Sequence, residues 1–86
     1  MEIKLIIKDP IGLHARPASI MVKEANKFDS DIQISIGSKS GNLKSIMSVM
    51  ALGAKTGDEV IITANGSDAE AALKAIESEM LKSKVI

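Results

Sequence analysis

Apolar and polar residues alternate at the start of the chain and then change period repeatedly, and each change marks an element. Ile3, Leu5 and Ile7 are interleaved with Glu2, Lys4 and Lys8, the pattern of a half-buried strand, with Ile6 out of phase. Asp9-Pro10-Ile11-Gly12 reads as a loop. From Pro17 to about Phe28 the spacing lengthens, and Ala18, Met21, Val22, Ala25 and Phe28 form the stripe of an amphipathic helix. Period two returns at Ile32, Ile34 and Ile36, with Gln33 and Ser35 between them. Gly37 to Gly41 is expected to turn into a short third strand near Leu43.

Ser45 to about Leu52 predicts a short helix, with Gly53 suited to its C-terminal end. Thr56-Gly57-Asp58 leads into a fourth strand, Glu59 to Ala64, with Val60 and Ile62 facing one way. After Asn65-Gly66, the segment Ser67-Asp68-Ala69-Glu70 reads as a capping box, in which serine and glutamate satisfy each other's amides. It opens a last helix striped by Ala69, Ala72, Leu73, Ile76 and Met80. The order β-α-β-β-α-β-α, with one apolar face per strand and one stripe per helix, predicts an α+β fold of two layers. In it, helices cover one side of a sheet. Residues 1–86 are expected to form a single domain, without repeats or linkers.

Composition narrows the function. Phe28 is the only aromatic residue, so the core must be aliphatic. The chain has no cysteine, which excludes disulfides and thiolate metal sites. A lone histidine argues against zinc, so no metal or cofactor is expected. Eleven basic residues balance eleven acidic ones without a basic stripe, which disfavours a nucleic-acid partner. The apolar stretch within Met1–Lys8 is too short for a signal peptide, and no run approaches a membrane span. A cytoplasmic location is the expectation.

The lone histidine lies in Gly12-Leu13-His14-Ala15-Arg16-Pro17-Ala18, between the first strand and the first helix. Pro17 fits a first helical turn, where its missing N–H is no loss. His14 therefore stands at the mouth of a helix, where free amides and the macrodipole attract anions. A nucleophilic imidazole beside an anion site and Arg16 points to a histidine that carries phosphate. Because Pro17 offers no donor, the expected phosphate-binding amides are those of Ala15, Arg16 and Ala18. No neighbouring carboxylate stands out in the sequence, which argues against an independent enzyme.

This heptapeptide resembles the active-centre segment of the HPr family, the phosphocarriers of the bacterial sugar phosphotransferase system. Asn42-Leu43-Lys44-Ser45-Ile46-Met47 resembles the regulatory-serine segment of HPr proteins from low-GC Gram-positive bacteria. The resemblance covers essentially the whole chain. It implies an open-faced sandwich, with three helices on one face of a four-stranded antiparallel sheet in strand order 1-4-2-3. It further implies that His14 takes a phosphoryl group on Nδ1 from Enzyme I and passes it to IIA domains of sugar permeases. Arg16 would lie close to that phosphate, and the protein would be a stoichiometric carrier rather than an enzyme.

Six of the seven residues in Ile46-Met47-Ser48-Val49-Met50-Ala51-Leu52 are apolar, too many for one buried stripe. With Val49 and Leu52 facing the core, Ile46, Met47 and Met50 are expected to remain exposed as an adaptable docking patch. Ser45 suits a helix N-cap. The resemblance adds phosphorylation by HPr kinase/phosphorylase and a corepressor role with a catabolite control protein. Phosphate on Ser45 would place about two negative charges in the patch and weaken binding to Enzyme I. Ser48 stands where relatives often carry glycine, and is expected to make the exposed face slightly more polar. A regulatory paralogue acting mainly through Ser45 is the second reading, although His14 counts against it. A carrier of a nitrogen-related branch is a closer variant, disfavoured by Lys44-Ser45-Ile46. A monomer is expected, because a small carrier must keep its docking face free.

Overall fold

The computed structural model describes residues 1–86. Its elements are β1 (Glu2–Ile6), α1 (Ala15–Ala25), β2 (Asp31–Ile36), β3 (Lys39–Asn42), α2 (Ile46–Ala51), β4 (Glu59–Asn65) and α3 (Ala69–Lys82). The strands form one antiparallel sheet in the order β1-β4-β2-β3, as the resemblance implied. Register puts Ile3 opposite Ile62, Leu5 opposite Val60, and Ile34 opposite Ile62, so one face is a continuous aliphatic surface. Ala18, Met21, Val22 and Ala25 of α1, Val49 of α2, and Ala72, Leu73, Ile76 and Met80 of α3 cover that face. The architecture is an open-faced sandwich.

The opposite face carries Lys4, Gln33, Ser35 and Thr63. Ile6, the residue out of phase in the sequence, also lies there, 43% exposed and diagonal to Ile61. A diagonal aliphatic pair gives such a residue partial cover without a core position.

Three local expectations need correction. First, α1 begins two residues before Pro17 and ends at Ala25. Asn26 stops it: its side-chain amide donates to the carbonyls of Val22 and Lys44. The next amides, of Lys27 and Phe28, bond three residues back in a tightened last turn. Second, β3 starts at Lys39 after a two-residue Gly37-Ser38 turn, and Gly41 lies within it. At Gly41 α2 approaches closely, because a Cβ there would lie 3.2 Å from that of Ser48. Ser48 is thus half-buried against β3, off the exposed face on which it was expected.

Third, Ser67 and Glu70 form no capping box. Asp68 is the N-cap of α3, and its side chain makes no cap bond. The carboxylate instead accepts from the amides of Asp29 and Ser30 and from the Ser30 hydroxyl. Three donors outside the helix compete better than one inside it.

Candidate functional site

The site is built on the connection between β1 and α1. Its turn requires Gly12, whose φ is +87° and whose missing Cβ leaves room for the Ala54 carbonyl. That carbonyl accepts the Leu13 amide at 3.0 Å, fixing the loop to the segment that follows α2. Leu13 is buried, so the next residue, His14, is held at the surface with its side chain 29% exposed.

His14 is the N-cap of α1, with extended backbone angles. Its side chain makes no cap bond, and no acidic residue occupies the first turn. Pro17, the third helical residue, has no N–H to satisfy. The amides of Ala15 and Arg16 therefore have no intramolecular acceptor and stand open at the positive end of the helix. The Ala18 amide does not join them, because it donates to the His14 carbonyl at 3.0 Å as the first helical bond. It is removed from the expected phosphate-binding set for that reason.

The imidazole turns instead toward Asp9, with Nε2 3.4 Å from Oδ1, a long electrostatic contact rather than a full hydrogen bond. Oδ1 also accepts the Ile11 amide at 2.9 Å, and Oδ2 accepts from Arg16 Nη2 at 3.0 Å. Asp9 is buried yet carries this much polar company. The Ile11 amide is the main cause holding its carboxyl below the usual range. Burial works against it, and His14 and Arg16 add to the lowering.

Asp9 is the site residue that sequence reading missed. The available signal was an aspartate five residues before the histidine in a loop, too weak to mark a contact that only the turn at Gly12 creates. Chemically, a carboxylate facing Nε2 favours the tautomer protonated there. The lone pair then lies on Nδ1, which has no intramolecular partner and is free to act as nucleophile. Arg16, with its side chain 56% exposed, keeps donors available beyond its bond to Asp9.

Ser45 is the N-cap of α2, its hydroxyl accepting from the Ser48 amide at 3.3 Å. Ile46, Met47 and Met50 are 40%, 79% and 41% exposed, while Val49 and Leu52 are buried. The helix splits its apolar residues as expected between core and surface. α1 packs against α2, and the Leu13–Ala54 bond joins the His14 loop to the chain just beyond α2. Lys44 binds the Phe28 carbonyl through Nζ at 2.6 Å, so it braces the end of α1.

The one cavity lies elsewhere, between β1 and α3, lined by residues that include Ile3 and Leu73. His14 is thus presented on an open surface rather than in a substrate pocket. No group of His, Asp and Glu side chains is arranged to hold a metal. No helix is long and apolar enough to cross a membrane.

Comparison with known proteins agrees with this geometry. A family model described as "PTS HPr component phosphorylation site" matches residues 1–81. A phosphocarrier protein HPr from Mycoplasma capricolum is 54% identical over 81 residues, covering 94% of this chain and 91% of that protein. A solved histidine-containing phosphocarrier protein of Mycoplasma superposes with a TM-score of 0.97 at 51% identity, covering 100% of this chain and 98% of that one. An HPr solved as a dimer, from Thermoanaerobacter tengcongensis, has a TM-score of 0.77 at 42% identity, with 100% and 98% covered.

Proposed function

The chain belongs to the HPr family of phosphotransferase-system phosphocarriers, and on that premise we propose that His14 is its phosphoryl-carrying residue. The single observation that carries this assignment is the imidazole at the mouth of α1, with Nε2 facing Asp9 and Nδ1 unpartnered. Nδ1 attacks phosphorus in line, and the bond from phosphorus to the donor breaks as the new P–N bond forms. The donor keeps the bonding electron pair. Catalysis in such a transfer is mostly positioning and electrostatics. The open amides of Ala15 and Arg16, the helix dipole and the Arg16 guanidinium supply the electrostatic part.

In this reading the donor is Enzyme I, charged by phosphoenolpyruvate, and the acceptors are IIA domains of sugar permeases. The protein is a stoichiometric carrier in the cytoplasm, needing no metal or cofactor of its own, and its 86 residues act as one domain. An open site without a pocket suits such a carrier, because each partner brings the rest of the active site. Ile46, Met47 and Met50 form the docking patch, supported by their exposure beside a buried Val49. A monomer leaves that patch free.

The experiment is intact mass after incubation with Enzyme I, magnesium and phosphoenolpyruvate. One acid-labile phosphate on the wild type, absent from a folded His14→Ala, is the expected result. A folded His14→Ala variant labelled at the normal rate would overturn the assignment. In the same assay Met47→Lys is expected to slow acceptance while leaving the melting temperature unchanged.

Ser45 is the proposed regulatory site for HPr kinase/phosphorylase, with the serine-phosphorylated form acting on a catabolite control repressor. Its place at the start of the helix that bears Met47 and Met50 supports this, since a phosphate there puts charge beside the docking patch. Labelling by the kinase that persists in Ser45→Ala would place the target elsewhere.

A further inference from the structure

Asp9 is fixed from two distant parts of the chain. Its amide, with that of Lys8, donates to the Val85 carbonyl, at 3.2 and 2.7 Å respectively. Its own carbonyl accepts the Thr56 hydroxyl, from the connection between α2 and β4, and the Gly12 amide at 3.0 Å. The Val85 contact is made by main chain, so side-chain chemistry does not specify it. Every other side-chain bond to Asp9 comes from within the His14 segment itself. Thr56 is therefore the one side chain from outside that segment that hydrogen-bonds Asp9 directly.

Asp9 in turn faces the His14 ring. A carboxylate 3.4 Å from Nε2 favours the proton on that nitrogen, and the contact is already at the long end of useful range. A small displacement of the Asp9 backbone would move it out of range. The neighbouring residues reinforce the point: the Lys55 amide is tied to the Asp58 carboxylate at 2.8 Å, and the Gly57 amide to the Ile7 carbonyl at 2.7 Å. Thr56 is thus held between two bonded residues with its hydroxyl aimed at the site loop.

We propose that Thr56 is a positioning residue for the His14 site, acting through the Asp9 carbonyl to keep the Asp9 carboxylate against Nε2. This deepens the carrier reading and rests on it for the transfer rate, but the ring-state effect stands independently. Thr56→Val keeps the shape of the side chain and removes the hydroxyl. Thr56→Ser keeps the hydroxyl.

The test is nitrogen-15 NMR of the His14 ring in the wild type and both variants, at a pH where the imidazole is neutral. It is paired with the rate of phosphoryl acceptance from phosphorylated Enzyme I. In Thr56→Val the fraction protonated at Nε2 falls and acceptance slows, on the order of tenfold. In Thr56→Ser both stay near wild type. A Thr56→Val protein with the wild-type tautomer ratio overturns the proposal, and so does a Thr56→Ser protein that loses the ratio as fully as Thr56→Val. If the wild type accepts no phosphate, the carrier reading fails, and the tautomer ratios still decide the role of Thr56.

Discussion

At Gly12 an added Cβ would fall 2.5 Å from the Ala54 carbonyl oxygen, in a backbone with φ of +87°. Both the conformation and the clash oppose any other residue. Gly12→Ala is expected to destabilise the protein by about 2–4 kcal/mol, measured by urea denaturation. A midpoint unchanged from wild type would mean that the loop rebuilds without the Leu13–Ala54 bond. The same turn brings Asp9 under the imidazole, so the residue scale is where sequence reading was both strongest and most incomplete. His14 and Arg16 stand out as candidates because their residue types and their place before Pro17 are chemically distinctive. Asp9 does not, because its role arises from a contact across the loop rather than from its neighbours in the chain.

The helices illustrate how far periodicity carries an element. The stripes of α1 and α3 were legible from spacing, and every predicted stripe residue of α3 is buried. Their ends were not, because competing hydrogen bonds decide them. At the end of α3, Ser83 is followed by Lys84 at φ of 60°, the one non-glycine residue with positive φ. The Lys84 amide donates to the Leu81 carbonyl and the Val85 amide to the Met80 carbonyl, the paired bonds of a Schellman ending. Met80 and Val85 are both fully buried, as that motif favours. Burial of Val85 thus holds a lysine where glycine is the usual choice. Lys84→Gly removes the side-chain strain at some cost in unfolded-chain entropy, and is expected to stabilise by about 0.5–1 kcal/mol. Thermal or urea denaturation checks this, and a destabilised variant would show that the lysine side chain itself contributes.

Across the whole molecule, Asp68 joins the start of α3 to the connection between α1 and β2. The Ser30 hydroxyl is the main cause holding its carboxyl below the usual range, followed by the Asp29 amide, with burial opposing them. A carboxyl lowered in the folded state stabilises fully above its unfolded value, about 4, and loses that contribution as pH falls through the folded value. Asp68→Ala should therefore be less stable than wild type at neutral pH, and the gap should close on acidification. Urea midpoints at about pH 7, 4 and 2.5 test this. A gap that stays constant with pH would show that packing, not the ionised carboxylate, makes the link. Asp9, lowered in the same direction, leaves the variant some acid sensitivity of its own.

The sequence by itself determined the order of elements, the aliphatic core, the two segments that carry the family resemblance, and the split of α2 between core and surface. Those properties depend on residue type and on spacing within an element, which a single chain displays directly. Tertiary structure decided which polar groups are already used. It gave the Ala18 amide to the His14 carbonyl, the Asp68 carboxylate to Asp29 and Ser30, and the Asp9 carboxylate to His14 and Arg16. Hydrogen bonds are exclusive and short-ranged, so their allocation follows from which segments fold into contact. Local pattern does not contain that information, and for this reason His14 stood out as a candidate while its contact with Asp9 did not.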